Sequence, residues 1–148
     1  MSKQELFYVI PGKPVTKKNS MQMVKNPKTG KWFPIPSKQY KAYEKAAETS
    51  FDTIPVEPID FPVNVRCVYH LERNKDGSLP KNIPDLTNLL EATDDILVKY
   101  KILKDDNATI VARHDGSRVQ FDAEPGAPCT RITIYGLEVM EVELKNAE

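Results

Sequence analysis

Residues 84–107 narrow most sharply what this chain can fold into. At roughly 100° per residue, Leu86, Leu89, Leu90, Thr93, Ile96, Leu97 and Tyr100 fall within about 120° of arc. That stripe predicts an amphipathic helix able to pack on a sheet. Asn88, Glu91, Asp94 and Asp95 fall outside the arc, and Asn88, Glu91 and Asp95 share one polar flank. Asp85 follows Pro84, and Asp105 and Asp106 stand where the next strand is expected to start. A helix and a short loop can fold back and bring Asp85 near that pair. Clustered carboxylates repel one another and are costly to desolvate unless a cation neutralises them. Hard divalent ions such as Mg²⁺ take oxygen ligands, so the pattern points to metal-assisted phosphoryl chemistry. An Asp at a helix start also serves as a cap or dipole partner, which leaves Asp85 two readings.

The formal net charge of zero conceals an uneven distribution. Between Glu5 and Glu44 there is no acidic residue, but Lys13, Lys17, Lys18, Lys25, Lys28, Lys31, Lys38 and Lys41 all occur. Gly12, Pro14, Pro27, Gly30, Pro34 and Pro36 punctuate the same stretch, which predicts a basic loop over about residues 12–36. Trp32 and Phe33 sit among the lysines, and basic residues with interleaved aromatics suit phosphate contact plus stacking. A solvated surface loop is the plainer alternative.

The remaining pattern is mixed α/β around a small sheet. Leu6–Ile10 reads as a first strand. Ser37 is placed to cap a helix from about Lys38 to Phe51, with Tyr40, Tyr43, Ala47 and Phe51 on one side. Pro55, Pro58 and Pro62 close that region. Val63–Leu71 alternates as a strand with Val63, Val65, Cys67, Tyr69 and Leu71 on one face. Residues 108–114 and 131–135 supply further strands, and Asp115-Gly116-Ser117 is a turn that lets 118–121 pair back or extend the edge. The acidic tail after Glu138 is expected to fray. With 148 residues, 40% hydrophobic and 28% charged, one domain over 1–148 with a single modest core is expected. No apolar run approaches the roughly 18 residues of a membrane span, and the N-terminus lacks a signal-peptide pattern. Cys67 and Cys129 lack metal spacing and read as reduced structural thiols of a cytoplasmic protein.

Other chemistries fit less well. His70 and His114 fall in expected strands without a second ligand in register, so structural roles are favoured over zinc or general-base roles. There is no nucleophile elbow or catalytic-cysteine arrangement, and Pro11-Gly12-Lys13-Pro14 lacks the spacing of a phosphate loop.

Pro84-Asp-Leu-Thr-Asn-Leu-Leu-Glu91, Asp95-Ile-Leu97 and Asp105-Asp106 resemble the signature of the RusA family of Holliday-junction resolvases, in its prophage-borne form. That signature reads Pro-Asp-x-Asp-Asn-Leu-x-Lys, then Asp-Ala-Leu, then Asp-Asp before a strand. Pro11-Gly-Lys-Pro-Val-Thr-Lys-Lys-Asn19 and Ile35–Tyr43 resemble the family's N-terminal segments, so the likeness runs from about Tyr8 to Tyr135. The resemblance implies a small homodimeric endonuclease of DNA recombination and repair, dependent on Mg²⁺ or on Mn²⁺ in its place. It would cut four-way junctions in the cytoplasm of a bacterial or phage-infected cell, with acidic residues of both subunits near the dimer interface. By position, Asp85 matches the first essential Asp and Asp105 and Asp106 match the Asp-Asp pair, which makes these three the expected metal ligands. Asp95 matches an Asp expected to be structural.

Two positions depart from the signature. Its second Asp is Thr87 here and its Lys is Glu91. Thr87 offers only a neutral oxygen, and Glu91, four residues along, is a neighbour able to restore the charge. Lys17 or Lys18 is a candidate for the missing lysine, and Lys13, Lys17, Lys18 and Lys25 are the candidate DNA contacts. The alternative is a branched-DNA binding protein whose cleavage is weakened or lost through Thr87 and Glu91.

Overall fold

The computed structural model describes residues 5–16, 21–137 and 144–146. Strand β1 (Glu5–Pro11) pairs antiparallel with β8 (Cys129–Gly136), which pairs antiparallel with β5 (Val63–His70). Two short strands, β6 (Val111–Arg113) and β7 (Arg118–Gln120), both lie parallel to β5 and complete a five-stranded mixed sheet. Helix α2 (Leu86–Lys99) makes the crossover that a parallel β5–β6 pair requires.

Alternation decides which sheet face is buried. Leu6, Tyr8 and Ile10 from β1, Ile132 and Ile134 from β8, and Val63, Val65, Cys67 and Tyr69 from β5 form one apolar surface. Helix α1 (Lys38–Ser50) lays Tyr43 and Ala47 into that core, and α2 adds Leu89, Ile96 and Leu97. Ser37 caps α1 as its sequence predicts, its hydroxyl accepting from the Tyr40 N–H at 3.1 Å. Phe51 closes the helix and stacks edge-on against Tyr8 at 4.8 Å. Cys67 and Cys129 are free thiols, and burial pushes the Cys67 thiol up to about 12.

Three regions differ from the sequence expectation. The basic stretch is only partly loop: β2 (Met21–Lys25) and β3 (Trp32–Pro36) form an antiparallel hairpin. Asn26 organises its turn, its side-chain oxygen accepting from Lys28 N–H at 2.9 Å, and Gly30 supplies the φ of 70°. Prolines argue against a central strand, but in an isolated ribbon each strand is an edge and a missing N–H can face outward. Of the tail expected to fray, 138–143 and 147–148 lie outside the described residues, but β9 (Leu144–Asn146) pairs with β4 (Thr53–Pro55) and Leu144 packs on the core. The strand expected over 108–114 is shortened to β6. Asn107 draws the chain into a turn instead, its carbonyl accepting from Ile110 N–H at 3.0 Å and Val111 N–H at 2.9 Å.

Candidate active site

Each acidic residue of the 84–107 segment has a distinct setting. Asp85 occupies the cap position of α2 with φ −68° and ψ 143°, yet its side chain makes no capping hydrogen bond. It is exposed, and no hydrogen bond ties its carboxylate to the first turn of the helix. Two adjoining grooves share Lys13, Asn82 and Pro84 on their walls, and the first, of about 270 Å³, also takes in Arg73. The fold thus carries Lys13 from the end of β1 to the residue preceding Asp85. Arg73, to which the sequence pattern assigned no role, is fixed there by donating to Phe121 O and Gly77 O, both at 3.1 Å.

Asp105 and Asp106 lie in the exposed turn before β6 rather than at a strand start. Asp105 accepts from the Asp106 N–H at 2.7 Å and from the Asn107 amide at 3.0 Å. Those bonds, the Asp106 N–H first, hold its carboxyl below the usual range. Glu91 and Thr87 are exposed on α2. Asp95 turns toward α1, where Tyr40 is pushed up to about 12 by burial, then Glu44, then Asp95.

Asp94 is the residue the helical arc misplaces. Counted from Leu86 at roughly 100° per residue, it lies only about 40° beyond the apolar edge at Leu90. It is 7% exposed. One carboxylate oxygen, Oδ2, meets His114 Nε2 at 2.9 Å, and the other, Oδ1, is buried with no hydrogen-bond partner among the described residues. His114 Nδ1 lies 2.8 Å from the Val65 carbonyl. A carbonyl only accepts, so Nδ1 carries a proton and the Asp94–His114 contact shares one more. Burial raises the Asp94 carboxyl, His114 opposes that shift, and the charge of Asp106 adds to the rise. The hydrogen bond to Asp94 raises the imidazole.

The turn that carries His114 is tightly built. Asn64 brackets Asp115, accepting its N–H at 2.8 Å and donating to its carbonyl at 3.1 Å. Gly116 has φ 83°, and a Cβ there would meet Arg66 Cδ at 2.6 Å. The sequence marked this turn, but not its role in aiming His114 at α2.

Among the described residues no three His, Cys, Asp or Glu side chains are grouped to hold one ion. Nine residues, about 13 Å of helix at 1.5 Å per residue, separate Asp85 from Asp94. Of the expected DNA contacts, Lys25 is exposed on β2 and Lys13 lines the grooves; Lys17 and Lys18 lie outside the described residues. Trp32, 63% exposed, stands opposite Lys25 in the hairpin. His70 is bound to Asp122 at 2.7 Å on the far edge. The donors on offer are carboxylate oxygens, the type a hard divalent cation takes, but the described residues do not gather three of them at one point.

The protein thus combines a mixed sheet and two helices with carboxylates along and beyond α2 and a lysine-bearing hairpin. The chain belongs to the endodeoxyribonuclease RusA family, which it matches over residues 11–134. Membership implies Holliday-junction resolvase activity, that is, endonucleolytic cutting of branched DNA, in a family of nucleases that typically depend on a divalent metal. No curated protein matches the chain. No helix among the described residues is long and apolar enough to cross a membrane.

Proposed function

We propose that this protein is a Mg²⁺-dependent, structure-selective endonuclease that resolves four-way DNA junctions as a homodimer, the whole chain acting as one catalytic unit in the cytoplasm. The observation that carries the reading is Asp85: an exposed carboxylate at a helix mouth, unused by the cap, with Lys13 on the adjoining groove wall. Asp85, Asp105 and Asp106 would hold the ion, with Glu91 assisting. When bound, Mg²⁺ supplies charge neutralisation at the phosphate and acidifies an attacking water.

The chain's own residues do the rest. Lys13 and Arg73 place positive charge at the groove beside Asp85, where a phosphodiester backbone would lie. Lys25, Lys28 and Lys31 give the hairpin a sequence-independent attraction for DNA, and Trp32 offers a face for stacking on an unpaired base. Asp105 is held ionised by its own turn, ready to accept a cation. In this reading a second subunit would bring further acidic residues to the site.

The decisive experiment is cleavage of a four-way junction with and without Mg²⁺, against linear duplex as control. Symmetric cuts that need Mg²⁺ and the junction are expected. Tight junction binding without cleavage at any Mg²⁺ or Mn²⁺ concentration would establish instead a junction-binding protein, a reading that Thr87 and Glu91 favour because neither reproduces the charge the family signature places there.

A further inference from the structure

The second of the two grooves beside Pro84 is lined for an anion, and nothing in the metal reading uses it. We propose that this groove, of about 510 Å³, holds one backbone phosphate of the bound DNA strand, with Thr16, Gln39, Asn82 and Lys13 as donors. The proposal rests on the reading of the protein as a DNA nuclease and adds to it a phosphate position apart from the expected metal ligands.

Four observations carry it. Thr16 lines the groove and is 2% exposed, and its hydroxyl Oγ1 is buried with no hydrogen-bond partner among the described residues. Buried hydroxyls are normally paired, so one left unpaired on a groove wall points to an acceptor that arrives from outside. Gln39, also on the wall, is the second residue of α1, so the groove meets the positive end of a 13-residue helix. Ser37 Oγ accepts from the Tyr40 N–H there, but an α-helix offers no acceptor to its other leading N–H groups. No acidic residue stands in that first turn, so the helix does not neutralise its own terminal dipole. The wall adds the Lys13 ammonium and the Asn82 and Gln39 amides and, among the described residues, no carboxylate. Hydroxyl, amide and ammonium donors at a helix N-terminus are the set from which phosphate oxygens accept, and a cation would find no charged ligand among them. Finally, Lys13, Asn82 and Pro84 also wall the first groove, which takes in Arg73. One continuous strand can therefore occupy both grooves and pass the residue preceding Asp85. A solvent-filled crevice explains the volume but not a buried, unpaired donor on its wall.

The test is phosphate interference on a four-way junction, paired with a DNA-free melt. Single phosphates near the branch are replaced by neutral methylphosphonates, and wild-type gel-shift affinity should fall several-fold at each contacted position. Thr16→Val, which keeps the shape and removes the donor, should become insensitive at one of those positions and keep the wild-type pattern at the rest. In the melt, inorganic phosphate set against chloride at equal ionic strength should raise the wild-type Tm by about 1–3 °C, and Thr16→Val should lose most of that rise. Gln39→Glu, at an exposed position, should raise Tm in chloride because an acid suits a helix N-terminus, yet abolish the phosphate effect. That variant should also lose the same methylphosphonate position, which keeps the test usable if Thr16→Val fails to fold by circular dichroism. An interference pattern identical to wild type in both variants overturns the proposal; a phosphate effect on Tm that the variants still remove would then mark a site for free phosphate only. A wild-type protein that binds no junction fails the nuclease reading and with it DNA as the source, and the melt in phosphate then reports separately on whether the groove takes an anion.

Discussion

The two Asp–His pairs of this molecule have the same chemistry and opposite settings. His70–Asp122 spans 2.7 Å at the end of β5, with the aspartate side chain 48% exposed; His114–Asp94 spans 2.9 Å with its aspartate side chain 10% exposed. Water shares the charge of the first pair, and such contacts contribute about 0–1 kcal/mol. At the second the carboxylate is buried although the imidazole stays 28% exposed, both groups are raised, and one carboxylate oxygen lacks a partner among the described residues. Equal residues and nearly equal distances therefore say little about role. Burial and the neighbouring Asp106 separate a surface contact from a group under electrostatic load.

Several variants break or sharpen that contrast. The largest effect is expected at Asp106, the neighbour that distinguishes the buried pair. Asp106→Asn should reduce junction cleavage at least about a hundredfold, because a ligand charge is lost where the metal chemistry is centred, while gel-shift affinity for the junction is kept or improved. Undiminished cleavage would remove the reason to treat the two pairs differently.

Stability should follow the same order. His114→Ala strands a buried acceptor and is expected to cost about 1–3 kcal/mol in denaturant melts, against less than about 1 kcal/mol for His70→Ala. The pH dependence has a definite sign. Both Asp94 and His114 are raised on folding, so the folded pair binds its proton more tightly than the unfolded chain. Stability from this pair is complete below the unfolded carboxyl value, near 4, and is lost as pH rises through the raised values, the imidazole part above about 6.5. The wild-type Tm should thus fall between pH 6 and 9 by a few degrees, and the slope should flatten in His114→Gln. An equal slope in wild type and variant would show that the pair does not titrate as described.

The smallest effect lies away from both pairs. Lys13→Ala should weaken junction binding several-fold and reduce the salt slope of log K by about one, the signature of one lost phosphate contact. An unchanged slope in a filter-binding titration would return Lys13 to the solvated surface.

The periodicities decided most of the fold. A stripe of period 3.6 laid down both helices and their buried faces, and the period-2 run over 63–71 gave β5 and its core residues, since burial of an apolar face is nearly independent of what covers it. The hairpin was obscured by prolines that a two-stranded ribbon tolerates. Strand β9 was obscured because three residues form a strand only when a distant partner, here β4, is offered. The acidic signature was readable because its spacing is local to one helix and one loop.

The burial of Asp94 and its contact with His114 were not readable in this way. Its angle placed it among the polar residues, and only the arrival of the 114–117 turn, pinned by Asn64 some fifty residues earlier in the chain, turned that flank into a buried site. The sequence by itself determined the helices, the sheet and the line of carboxylates, because those follow from side-chain period and charge. The tertiary structure alone decided which carboxylate is desolvated and which oxygen lacks a partner, because desolvation depends on contacts between residues far apart in the chain.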